Sequence, residues 1–143
     1  MASISLNKAN QIIRGSFASG KDMGLKPLTT VVLDDGGHVV ASQRQDGASP
    51  LRFEIAKGKA YGAVATGVGS RWLNDQAETR PHFLEGLSGV SGGRIVPVPG
   101  GVLVKSKNGK ILGAVGITGD TSDNDEAAAK AAIEAAGYEA IVG

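Results

Sequence analysis

The chain contains no cysteine. That removes disulfides, thiolate nucleophiles and thiolate metal ligands together. Aromatic residues are scarce, at 4%, so a core has to be assembled from Val, Ile, Leu and Ala. An excess of either charge is also missing: 15 Lys and Arg stand against 14 Asp and Glu, for a net charge of +1. Such a balance builds no basic field to attract nucleic acid or anionic lipid. It also leaves little repulsion between copies of the chain, so self-association is permitted. No apolar stretch is long enough to span a bilayer. The opening MASISLNKANQIIRGS lacks the charged-then-apolar pattern of a signal peptide, which makes a cytoplasmic location the default expectation. Several site signatures are absent as well. GAVGITG (113–119) lacks the closing Lys–Ser/Thr of a P-loop, and there is no G-x-G-x-x-G fingerprint and no G-x-S-x-G elbow. Neither His38 nor His82 sits in a two-histidine metal motif, so no dedicated metal site is expected.

What is present suits one domain over 1–143. The length supports a single core, and 41% hydrophobic with 20% charged residues reads as globular. The 22 glycines follow no collagen-like period and point to tight turns and close backbone contacts. Residues 5–23 carry a helical face at Leu6, Ala9, Ile13, Phe17 and Gly20, with Ser5 as cap and Gly24 as stop. Residues 29–33, the turn at 34–37 and HVVASQR (38–44) read as a hairpin. Ser49–Pro50 reads as an N-cap and first turn for a helix rich in small residues. Short helices are expected near 70–77 and 81–87, and strand-like runs at 95–98 and 101–106. A second hairpin turns at Asn108–Gly109, and a last helix covers 122–136, with Ser122, Asp123 and Asp125 at its start and Gly137 as its end. The order of elements is an α+β plan.

Three segments can carry chemistry. In the first, strand alternation puts His38, Val40, Ser42 and Arg44 on one face, with Asp46 beyond them. An imidazole and a guanidinium side by side can bind a carboxylate. The same spacing also suits a solvated face on which Arg44 pairs with Asp46. In the second, Gly113, Gly116 and Gly119 mark close approach of something to a strand, either a ligand or a packed helix. In the third, His82 and Glu85 are three apart and can meet on a helix. Lys57 and Lys59 are two apart, so at most one enters a pocket, and the other is expected in solvent.

The segments DDGGHVV (34–40), RQDGA (44–48), AKGKA (56–60), PGGVLV (99–104) and GAVGITG (113–119), followed by Asp125–Glu126 in an Ala-rich helix, resemble the GlcG/HbpS family. The resemblance spans nearly the whole chain in the same order. That family includes a haem-binding protein of streptomycetes and the C-terminal domain of some cobalamin adenosyltransferases. The resemblance implies a profilin-like sandwich, a five-stranded antiparallel sheet flanked by helices. It also implies homo-oligomers, from dimer to octamer, and a small-molecule ligand that is haem in some members. Carried over by motif, His38 is the expected ligand contact, with Arg44 and Asp46 beside it. Gln45 stands where the family commonly has Met.

Two functions follow as expectations. One is binding of haem or a related tetrapyrrole, with His38 or His82 as axial ligand and Gly113 and Gly116 near the ligand. The other is a cofactor-independent catabolic enzyme in which Arg44 holds an organic acid while His38, His82 or Glu85 moves a proton. A purely accessory, self-associating module is a third.

Overall fold

The computed structural model describes residues 3–143. Five helices and five strands follow in the order α1 (Leu6–Asp22), β1 (Thr29–Asp34), β2 (Val39–Arg44), α2 (Arg52–Thr66), α3 (Ser70–Thr79), α4 (Pro81–Val90), β3 (Gly101–Lys105), β4 (Ile111–Thr118), α5 (Ser122–Ala135) and β5 (Glu139–Ile141). The strands form one sheet in the order β2-β1-β4-β3-β5, with every neighbouring pair antiparallel. This is the expected α+β architecture.

Local chemistry accounts for most boundaries. Ser5 caps α1 by accepting from the Lys8 amide, and the chain leaves that helix through Gly24 at φ +70. The two hairpins turn through Gly37 at φ +85 and Gly109 at φ +91, conformations that a side chain disfavours. Along β4, Val115 and Ile117 point to one face and Ala114 and Gly116 to the other. The first face packs with Val32, Val102 and Val104 against Ile12 and Ile13 of α1 and Ala129 and Ile133 of α5. The second meets α2, where Val31, Leu33 and Leu103 pack on Ala56, Ala60 and Ala63. A Cβ on Gly116 would collide with the Ala56 carbonyl, and one on Gly101 with the Lys59 carbonyl. The glycines let the α2 backbone lie almost on the sheet.

Three local expectations are corrected. Residues 95–98 form no strand. They run as an irregular segment over α2, because Gly58 and Gly62 leave room for Val96 and Ile95 to press onto the helix. Ser49 does not cap α2. That helix starts at Arg52 with no side-chain cap, and the Ser49 hydroxyl instead accepts from Arg52 Nε at 3.2 Å. At α5 the cap is Thr121, which accepts from the Asn124 amide, while Asp123 and Asp125 lie in the first turn.

Candidate functional site

The tip of the first hairpin is built by Asp34. Its Oδ1 accepts from the Gly36 amide at 3.0 Å and the His38 amide at 2.9 Å. The backbone that carries His38 is therefore fixed by a carboxylate within the turn. Gly37 has a second use besides its φ: a Cβ there would meet the Tyr61 ring of α2 at 3.2 Å. The absent side chain lets the hairpin tip close onto α2.

That closure makes one wall of a cavity of about 580 Å³. His38 and Val39 come from the hairpin, and Phe53, Lys57 and Tyr61 from α2, with Leu51 just before it. Arg94 and Val96 come from the segment that rides on α2. Gly58 determines how close that segment lies, since a Cβ there would stand 2.5 Å from Val96 Cγ2. The Val96 amide donates to the Gly58 carbonyl at 3.2 Å. Arg94 is held twice. Its Nε donates to the Ser91 carbonyl at 2.6 Å, and its guanidinium carbon lies 4.3 Å from the centre of the Tyr61 ring, a cation–π contact. The rim is apolar where it meets water: Leu51 is 62% exposed and Val39 42%.

Arg44 lines a different concavity, of about 780 Å³, between the end of α1 and the end of β2. Phe17, Lys21, Lys26 and Asp46 share it. His38 and Arg44 therefore do not share one face of a regular strand. A register shift sets in at Val32/Leu33, so that Leu33 pairs with Val39 and Val32 with Ala41. One residue of β2 bulges, and His38 and Arg44 lie at opposite ends of that strand, each lining the concavity at its own end. No ion pair joins Arg44 to Asp46 among the described residues.

His82 and Glu85 are both exposed on α4. Glu85 edges a small hollow with Leu84 and Ile95, away from His38 and Arg44. Within one copy of the chain, the anchor and the three proposed proton carriers are thus not assembled around a common point. Gly113 and Gly116 touch protein rather than open space: a Cβ would meet the Leu33 carbonyl at the first and the Ala56 carbonyl at the second. Of the two readings left open for them, close packing is what these two positions display.

One group escaped sequence reasoning. Lys59 is not in solvent. It is 2% exposed and pairs with Asp125, 1% exposed, at 3.2 Å. Lys59 Nζ also donates to the Ile117 carbonyl at 2.9 Å, and Asp125 Oδ1 accepts from the Asp120 amide at 2.9 Å. Burial pushes the Lys59 pKa down and the Asp125 pKa up, outweighing their mutual attraction at each. The pair ties α2 to the first turn of α5 around the end of β4. Lys57, by contrast, lines the cavity. The available signal was a lysine set among Ala56, Gly58, Ala60 and Gly62, on the small-residue face of a helix.

A five-stranded antiparallel sheet with helices on both faces defines an α+β sandwich, here with a cavity on one side walled by a hairpin tip, a helix and a seated loop. The family description "Haem degrading protein HbpS-like" matches residues 4–134, and the chain belongs to this HbpS-like family. It is 32% identical over 139 residues to a 15.0 kDa protein of the dhaT–dhaS intergenic region of Citrobacter freundii, covering 90% of this chain and 96% of that one. The structure of PduOC in complex with haem superposes with a TM-score of 0.84 at 26% identity, covering 95% of this chain and 96% of the other. The structure of HbpS shares the fold, with a TM-score of 0.80 at 24% identity over 93% of this chain and 89% of that one.

Proposed function

We propose that this chain binds haem, or a closely related tetrapyrrole, in the cavity at His38. The observation that carries the reading is one concavity joining an imidazole to apolar and aromatic walls. Val39, Leu51, Phe53, Tyr61 and Val96 supply the walls, and the volume of about 580 Å³ lies in the range of small-molecule sites. This donor set fits a flat apolar macrocycle that carries a metal: the walls cover the ring and the imidazole offers a nitrogen. When bound, haem would supply an iron centre for redox or ligand-binding chemistry. The chain's own part is to exclude water from the ring faces and to hold His38 in place through Asp34. Membership of the HbpS-like family and the haem complex of PduOC support the reading.

Self-association belongs to the same proposal. Helix α4 has no buried residue, and Val90 at its end is 86% exposed. A second copy would cover that face, and sedimentation of the purified protein measures it.

The test of binding is titration with haemin, followed at the Soret band. Wild type should saturate with a shifted band. His38→Ala should lose or displace that band, while Arg44→Ala and His82→Ala leave it as in wild type. A featureless titration of the wild-type chain would sink the reading, and an unchanged band in His38→Ala would remove His38 from it.

A further inference from the structure

We propose that Arg94 reads the carboxylates of the cavity's ligand, so that the site selects a tetrapyrrole with free, ionised propionate chains over one whose acids are masked. The inference rests on the haem reading above and specifies its ligand.

Two cations reach the cavity, Lys57 and Arg94, and the acid that lines it with them is Glu54. No ion pair engages either cation among the described residues. A positively biased rim on an apolar cavity is complementary to an amphiphile whose charged end is anionic. The two cations are not equivalent. Lys57 carries a point charge on a flexible stem, whereas Arg94, although exposed, is restrained by two side-chain contacts before any ligand arrives. Its stem leaves a turn made by Gly92 at φ +70 and Gly93 at φ +75, and the Gly93 amide is held by the Ser88 carbonyl at 2.7 Å. The segment just after it is seated on Gly58. The bond from Nε to the Ser91 carbonyl and the cation–π contact with the Tyr61 ring then restrain the guanidinium. With Nε engaged, the two terminal nitrogens remain as donors, the arrangement that suits a carboxylate. Because these contacts already restrain the side chain, less rotamer entropy is lost on binding than for a free arginine.

The test compares iron protoporphyrin IX with its dimethyl ester, both presented in the same detergent at equal concentration. The wild-type chain and the variants Arg94→Ala and Arg94→Lys are followed at the Soret band, with circular dichroism to show that each is folded. Wild type should bind the free acid roughly tenfold or more tightly than the ester, the scale of a charge-assisted hydrogen bond. Arg94→Ala should bring the acid down to the affinity of the ester and leave the ester unchanged. Arg94→Lys should fall between, because the charge is kept and the planar fork is lost. Equal affinity for acid and ester in wild type would overturn the inference while leaving haem binding intact. So would an Arg94→Ala variant that loses both ligands alike, since Arg94 would then only shape the cavity. Failure of both ligands to bind wild type would overturn the haem reading and this inference with it.

Discussion

Helices cover both faces of the sheet, but the two faces are packed on different principles. Toward α1 and α5, the space between helix and sheet is filled by Ile12, Ile13, Val32, Val115, Ile117 and Ile133. Toward α2 it is nearly closed by backbone, with Gly101 and Gly116 set against helix carbonyls. The difference matters for function. A helix held by close backbone contact turns its small residues to the sheet, so Phe53 and Tyr61, which pack at the edge of that contact, also wall a cavity together with Lys57. The α1 and α5 side spends its large side chains on the core. The buried Lys59–Asp125 pair links the two sides, since it joins α2 to α5.

The contrast can be broken most severely at that link. Asp125→Ala would leave a buried ammonium without its carboxylate and should cost about 3–5 kcal/mol, read from the urea midpoint. Adding Lys59→Met should restore much of the loss. If the double variant is no more stable than Asp125→Ala alone, the pair is not what holds α2 to α5.

Gly116→Ala tests the close approach itself. The methyl group meets the Ala56 carbonyl, α2 has to shift, and the cost should be about 2 kcal/mol, the scale of overpacking. Gly15→Ala on the opposite side is its counterpart. There the new Cβ would lie 3.4 Å from Ala132 Cβ, an ordinary contact. Replacing an interior helical glycine should then raise stability by about 0.5 kcal/mol. Opposite signs for the two substitutions in thermal melts sharpen the comparison, and equal losses would erase it.

The smallest effect is expected at Asp120, which ties the loop before β1 to the start of α5. Its carboxylate accepts from the Lys26 amide, the Asn124 side chain and the Thr121 amide, and these bonds bring its pKa from 3.8 to about 2. A folded-state pKa below the unfolded one means that the contribution is complete above pH 3.8. It fades as the pH falls from there through about 2. Asp120→Asn should therefore flatten the acid side of the stability curve in that window and leave the neutral side almost level. Parallel wild-type and variant curves down to pH 2 would contradict it.

Legibility followed the range of the interactions. Helix α1, both hairpins and the cut at Gly137 were readable, because a cap oxygen, a β-branched run or a glycine at positive φ acts within a few residues. The strand expected at 95–98 was misread because β-propensity there is overridden by a surface that Gly58 and Gly62 create, more than thirty residues earlier in the chain. Strand β5 is only three residues long and left no pattern. In the candidate site, His38 could be singled out from its segment. Its separation from Arg44 could not, because which hollow each end of β2 borders is set by distant segments, α2 and residues 93–96 at one end and α1 at the other.

Composition and spacing along the chain were thus sufficient for the class of fold, the absence of thiol chemistry and the positions of most turns, since each depends on residues that are neighbours in sequence. Folding in three dimensions decided the rest: that Lys59 would be buried against Asp125, that Arg94 would lie over the Tyr61 ring, and that His38 and Arg44 would line separate hollows. Those outcomes are contacts between distant segments. They depend on which backbones can approach one another, and here the glycines of β3, β4 and α2 determine that approach.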